Sequence, residues 1–292
     1  MSEEKLNLTD AIFQSLNDIF SKLFSSIDNS IYSLLDNLCF IDTDILKNSA
    51  INKLLGNNMA EGLLLICNAL VIGFILFYAA NFLFSHLTYS KVASPSQFIF
   101  KCIIFIALMN TSLWICTEII NLISIITNLI RDIGENYFNQ TISFANLINT
   151  INTKIYINTE EFSIISFDGI IKSFCTIGLI NLLFNYSLRY VMVQVFILLS
   201  PFAFLSLISD NSSWFFKAWL RSFISLLLVQ ILICIILCLA LSLSIDNTNF
   251  SKLMFIGIIY ALTRANAYMK EVFGGISTDI SAGISNLKNL SN

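Results

Sequence analysis

The first fifty-five residues hold neither Gly nor Pro, and apolar side chains fall at Ile12, Leu16, Ile19, Leu23, Ile27, Ile31, Leu34 and Leu38. Steps of three and four keep side chains on one face of an α-helix, so the pattern predicts an amphipathic helix over this stretch. Asp10, Asp18, Asp28 and Asp36 fall elsewhere on the wheel. Such a helix needs a surface for its apolar face. It could lie on the outer leaflet of a membrane or dock on a partner or sibling subunit, and an acidic rather than Lys-rich polar face favours protein contact. A second, shorter helix is expected to start after Thr43 as its N-cap and to stop at Gly56.

From Gly62 to Phe84 the pattern becomes a continuous apolar run. It is long enough to cross the ~30 Å hydrocarbon layer, which takes about 20 helical residues. A polar link with Lys91 and Pro95 follows. Phe98 to Ile130 is then an apolar stretch longer than one span needs; the span is placed in its first two thirds, with the remainder tilted or projecting. Residues 131–168 are polar, with Arg131, Asp132, Glu135, Glu160, Glu161 and Asp168 among many Asn and Thr, and predict an external loop with short amphipathic elements.

Gly169 to Ile208 is again apolar but holds Lys172, Arg189 and Pro201. Two antiparallel spans would need a turn near Asn185 to Arg189, where no Gly or Pro stands. The preferred reading is one long helix broken at Pro201 and followed by an apolar element that re-enters the membrane or packs on the protein. Trp214, Lys217, Trp219 and Arg221 form an aromatic and basic girdle ahead of an apolar run to Ser244, an order that suits a helix leaving an interface. A last span is expected from Leu253 to Tyr268, and the tail carries Ile276, Ile280, Ile284 and Leu287 at helical spacing.

These elements describe an all-α, polytopic membrane protein with about five transmembrane helices, or six if 169–208 crosses twice. Its regions are an amphipathic arm (1–60), two spans (61–130), a polar external loop (131–168), a transmembrane core (169–272) and a tail (273–292). Composition agrees: of 292 residues 56% are hydrophobic and 12% charged, with mean hydropathy +0.78. Charged residues make up about a quarter of a soluble domain. Fifteen of the 19 acids and seven basic residues fall in 1–61, 131–168 and 244–252, whereas Lys91, Lys101, Lys217, Arg221, Lys270 and Lys288 lie in 86–101, 209–221 and 270–292, roughly half that length. By the positive-inside rule the latter are cytoplasmic, which places the N-terminus outside and the C-terminus inside the cytoplasmic membrane.

The net charge of −3 provides no basic footprint for a nucleic-acid backbone. Of seven cysteines only Cys39 stands in a polar neighbourhood, so no disulfide framework is implied. Cys234 and Cys238 share a helix face without a third or fourth ligand, and the single histidine, His86, precludes an imidazole cluster. No cofactor or metal is expected. The opening Met-Ser-Glu-Glu-Lys has no basic region leading into an apolar one, so a cleaved signal peptide is not expected either. No phosphate loop, Ser-His-Asp order or paired-carboxylate motif is present, and the chain reads as non-enzymatic.

What polarity remains at membrane depth is the candidate functional material. Ser173, Thr176, Asn181, Asn185 and Arg189 form a polar strip on an otherwise apolar helix, fit either for hydrogen bonding between helices or for the wall of a conduit. Glu118, Lys172, Arg189 and Arg264 are ionisable residues in or beside apolar runs, which tend to face a protein interior or a water-filled path. A Glu118–Arg264 bridge is argued against by depth, because Glu118 would lie about 25 Å beyond Lys101 along one helix and Arg264 about 18 Å from Lys252 along another. Snorkelling to opposite interfaces and lining a polar path are the alternatives for this pair.

Leu199-Ser200-Pro201-Phe202-Ala203-Phe204-Leu205, followed by Trp214-Phe215-Phe216-Lys217-Ala218-Trp219-Leu220-Arg221-Ser222-Phe223 and a long apolar span, resembles the central block of TrbL-type proteins. These are polytopic inner-membrane components of type IV secretion and conjugation machines. The architecture is similar over about 60–275 and the residues over about 200–225; the acidic N-terminal arm lies outside the resemblance. Abundant Ile, Asn and Ser fit an AT-rich gene of a Gram-positive conjugative element. The resemblance implies a non-enzymatic channel or scaffold subunit, a homo-oligomer working with sibling membrane subunits and separate ATPases and touching transferred DNA or protein briefly. The competing classes are a small-solute transporter, which predicts discontinuous helices in two related halves, and an anchor that only assembles partners. No internal repeat relates 60–130 to 169–270.

Overall fold

The computed structural model describes residues 29–47, 49–56, 61–88, 94–154, 167–242 and 249–274, together with isolated positions between 12 and 19; among them every regular element is helical. In chain order these are α1 (Asn29–Cys39), a 3-10 turn (Thr43–Lys47), α2 (Ser49–Leu55), α3 (Gly62–Thr88), α4 (Pro95–Asn110), α5 (Ser112–Phe138), α6 (Phe144–Lys154), α7 (Phe167–Leu205), a second 3-10 turn (Ser206–Ile208), α8 (Ser213–Ser242) and α9 (Asn249–Phe273). The tail stripe Ile276 to Leu287, the side chains of His86 and Lys172, and Leu23 and Ile27 lie outside the described residues.

Four helices, α3, α5, α7 and α8, are long and apolar enough to cross a membrane, and α4 is a shorter apolar helix. The chain is a polytopic helical membrane protein. Helix α9, expected as a fifth span from Leu253 to Tyr268, is not among the four. Lys252, Arg264, Lys270 and Glu271 are spread along its 25 residues, and it packs on α7 and α8 through Phe255, Ile259, Leu262 and Ala265.

The apolar stretch from Phe98 to Ile130 is two helices, not one. Asn110 Nδ2 donates to the Ile106 carbonyl at 2.9 Å, and Thr111 Oγ1 donates to Ala107 at 3.0 Å and to Leu108 at 3.3 Å. Side chains that take the carbonyls of the preceding turn compete with the helix ladder, and Thr111 leaves helical geometry at ψ 9°. Helix α5 then runs on to Phe138, well into the stretch read as loop. Depth cannot therefore be summed along one helix from Lys101 to Glu118. The loop region also holds α6, whose Phe144, Leu147, Ile148 and Ile151 are buried.

Pro201 does not break α7, which continues to Leu205. A proline lacks the N–H that would bond the carbonyl four residues earlier, here that of Ile197. The neighbouring Ser200 hydroxyl donates to that same Ile197 oxygen at 2.7 Å, so the freed acceptor is satisfied within the helix.

Helix α7 packs on α1, α2, α3, α4, α5, α8 and α9 and meets α6 through Tyr186, whose ring lies 6.4 Å from that of Phe144; 56% of its most apolar stretch is buried, as is 61% of α8's, against 17% for α3 and 22% for α5. The first two form the interior, and the last two turn most of their surface outward. Two buried clusters share them. One joins α1, α6 and α9 to the first half of α7 and the second half of α8; the other joins α3, α4, α5 and the segment around Ile41 to the opposite halves.

The amphipathic arm departs from its expected face. Leu35 and Cys39 are buried, whereas Leu34 is 48% exposed and Ile12, Leu16 and Ile19 are exposed. The occupant of α1's apolar face is the chain's own α6 and α7. The short helix expected after Thr43 is divided into a 3-10 turn and α2, and the acceptor at its start is Asp42, whose Oδ1 takes the Asp44 N–H at 2.8 Å. Gly56 does end α2, at φ +99°, a conformation that L side chains disfavour.

Candidate functional site

The two clusters meet where α7 and α8 cross the return of the N-terminal arm. Arg189, midway along α7, is completely buried. Its Nε donates to the Leu226 carbonyl of α8 at 2.7 Å and its Nη1 to the Cys39 carbonyl at the end of α1 at 3.0 Å. Nη2 is buried with no acceptor in the protein. The ion pairs among the described residues, Lys47–Asp44 and Lys101–Asp210, lie elsewhere. A guanidinium in a low-dielectric interior is costly unless its donors are used, and here two of them bind backbone carbonyls on separate elements.

Three further bonds surround this junction. Gln230, one turn beyond Leu226, accepts the Ile41 N–H on Oε1 at 3.0 Å. Tyr186, one turn before Arg189, donates its hydroxyl to the Leu262 carbonyl of α9 at 2.8 Å. Trp219 of α8 donates its indole N–H to the Phe196 carbonyl of α7 at 2.8 Å. Seven residues separate Arg189 from Phe196 on α7, and seven separate Leu226 from Trp219 on α8, the matched register of an antiparallel pair. The two helices are thus tied by reciprocal side-chain to backbone bonds.

The polar strip on α7 does not form one wall. Ser173 is buried and its hydroxyl returns to the Gly169 carbonyl at 2.8 Å. Thr176 and Asn185 are buried, Asn181 is exposed, and Asn185 Nδ2 contacts Asn181 Oδ1 at 3.4 Å. Asn181 and Arg264 do come together, on the rim of an otherwise mostly apolar groove of about 220 Å³ between α7 and α9. The Arg264 guanidinium stands 5.7 Å from the Tyr260 ring centroid. Glu118 is exposed on α5 and is not part of that groove.

In the girdle, Trp214 is 67% exposed and Lys217 and Arg221 are exposed. Trp219 is instead buried, stacked on Phe223 with centroids 5.3 Å apart. All seven cysteines are free thiols. Cys39, expected in a polar setting, is fully buried, and that burial pushes its thiol well above the ordinary range, with Arg189 opposing.

Sequence reasoning missed Gln230 and Tyr186. Gln230 stands alone in an apolar run and Tyr186 sits between Asn185 and Ser187, and only the facing helix shows which carbonyl or N–H each meets. Comparison with protein-family models, curated proteins and solved structures finds no match.

Proposed function

We propose that this chain is a non-enzymatic scaffold and channel subunit of a type IV secretion or conjugation machine of the cytoplasmic membrane, similar in role to TrbL-type proteins. The reading rests on the resemblance of the 200–225 block. The observation that favours it over a solute transporter is the use made of Arg189: the one fully buried guanidinium among the described residues is committed to the backbone of α1 and α8. Transporter sites are built where helices are interrupted at the midplane, whereas α7 runs unbroken from Phe167 to Leu205.

In this reading the bundle is a rigid unit, and any conduit forms between copies or with sibling subunits rather than through one chain. The outward apolar surfaces of α3 and α5 serve lipid and neighbouring subunits, separate ATPases supply energy, and transferred DNA or protein is touched only briefly. The N-terminus is outside and the C-terminus cytoplasmic. An in-frame deletion should reduce conjugative transfer to background, with recovery from a plasmid copy; normal transfer in the deletion strain would remove the proposal.

A further inference from the structure

Helix α5 carries Ser124, Thr127, Asn128 and Arg131 at steps of three, one and three, which places all four on one face. That face, the end of α1 and Gln230 of α8 line a polar cleft of about 200 Å³. Asp36 and Asp42 stand on the α1 side. On the α5 side the Arg131 guanidinium lies 4.1 Å from the Phe40 ring centroid, and its Nε is buried with no acceptor in the protein. Burial pushes the Asp36 carboxyl above its usual range, against the opposing pull of the Phe144 N–H and Arg131.

The charges select the ligand class. A plain anion at Arg131 would meet both carboxylates, and a plain cation at the carboxylates would meet Arg131. A small molecule carrying both signs satisfies each. Depth identifies where such a group would come from. Arg131 is about 28 Å along α5 from Ser112, and Gln230 is about 25 Å along α8 from Ser213, close to the ~30 Å thickness of a hydrocarbon layer. With the hydrocarbon layer taken to begin at Ser112 and Ser213, the first residues of the two spanning helices, the cleft falls at the level of lipid head groups. Leu122, Ile125, Ile126 and Leu129 are exposed on the opposite face of α5, the side that acyl chains would cover.

We propose that this cleft binds a phosphoethanolamine-type zwitterion, with its phosphate at Arg131 and its primary ammonium at Asp36 and Asp42, supplied by phosphatidylethanolamine of the surrounding bilayer. The proposal is independent of the secretion reading. Its volume, that of roughly seven waters at ~30 Å³ each, matches such a head group, and Arg is the side chain suited to a phosphate.

The test is native mass spectrometry of the full chain released from nanodiscs with equal phosphatidylethanolamine, phosphatidylglycerol and phosphatidylcholine. Phosphatidylethanolamine should be retained about tenfold over the other two, a factor corresponding to about 1.4 kcal/mol. Arg131→Gln should abolish the preference. Asp42→Asn, at an exposed position where the amide keeps the Asp44 acceptor, should weaken it without loss of helical circular dichroism. Soluble glycerophosphoethanolamine that fails to displace the lipid supports the bilayer as source. Displacement at equal occupancy supports the same chemistry with a free solute as source. Equal retention of the three lipids, or preference for phosphatidylglycerol, overturns the proposal.

Discussion

The Cys39 carbonyl accepts a hydrogen bond from Nη1 of Arg189 at 3.0 Å, across 150 positions of chain. Leu226 can still accept from its own helix ladder, but Cys39 is the last residue of α1 and its oxygen has no such ladder partner. The bond fastens the N-terminal arm to the centre of the bundle.

Replacing Arg189 by Met should release that arm. An orphaned buried carbonyl and a lost charged donor together cost about 2–4 kcal/mol, part of which is offset by removing the buried charge. The measurable consequence is maleimide labelling of Cys39, protected in the native chain, while Cys116 stays protected. Unchanged protection of Cys39 in the variant would show that the arm is held by apolar contact alone.

Ser200 and Pro201 should be coupled. Ser200→Ala leaves the Ile197 carbonyl without a donor and costs about 1–2 kcal/mol. Pro201→Ala restores the backbone N–H, so in that background the loss of the Ser200 hydroxyl should cost much less. A double-mutant cycle on thermal or denaturant stability in detergent measures the difference; additive effects would exclude the compensation.

The Asp36 carboxylate accepts the Phe144 N–H at 3.0 Å, at the start of α6, yet burial leaves its folded-state pKa above the ordinary value. The folded state therefore holds the proton more tightly than the unfolded state, and ionisation of Asp36 lowers stability as pH rises from about 4 through the folded-state pKa. Asp36→Asn keeps an acceptor and removes the charge. Its melting temperature should equal or exceed that of the native chain at pH 7, with the advantage shrinking towards pH 4. Asp36→Ala, which also removes the acceptor, should melt lower at both; a pH-independent effect of Asp36→Asn would contradict this account.

One crossing by α7 puts its two ends on opposite faces of the membrane. Cysteine introduced at Asn211 should label from one side with an impermeant maleimide, and cysteine at Asn37 from the other, both residues being exposed. Labelling of both from the same side would require two crossings.

The Lys101–Asp210 pair, 3.0 Å apart with side chains 42% and 87% exposed, should contribute little. Exposed pairs are worth about 0–1 kcal/mol, so Lys101→Ala should leave the melting temperature nearly unchanged.

Chain order and local chemistry alone determined the helical membrane class and the approximate ends of α3 and α8. A run of apolar residues about 20 long has few other solutions in water or lipid. The stop at Gly56 was legible for the same local reason, because few residues besides Gly tolerate that backbone conformation. The break at Thr111 was also written locally, in Asn110-Thr111-Ser112, but polar side chains end a helix only if they win the carbonyls from its ladder. Tertiary structure decided the rest. Leu35 and Cys39 rather than Leu34 face inward because α6 and α7 supply the surface. Arg189, read as one element of a strip, became the tie between α1 and α8, since a buried donor bonds whichever carbonyl folding brings within 3 Å, and no periodicity in one helix specifies the backbone of another.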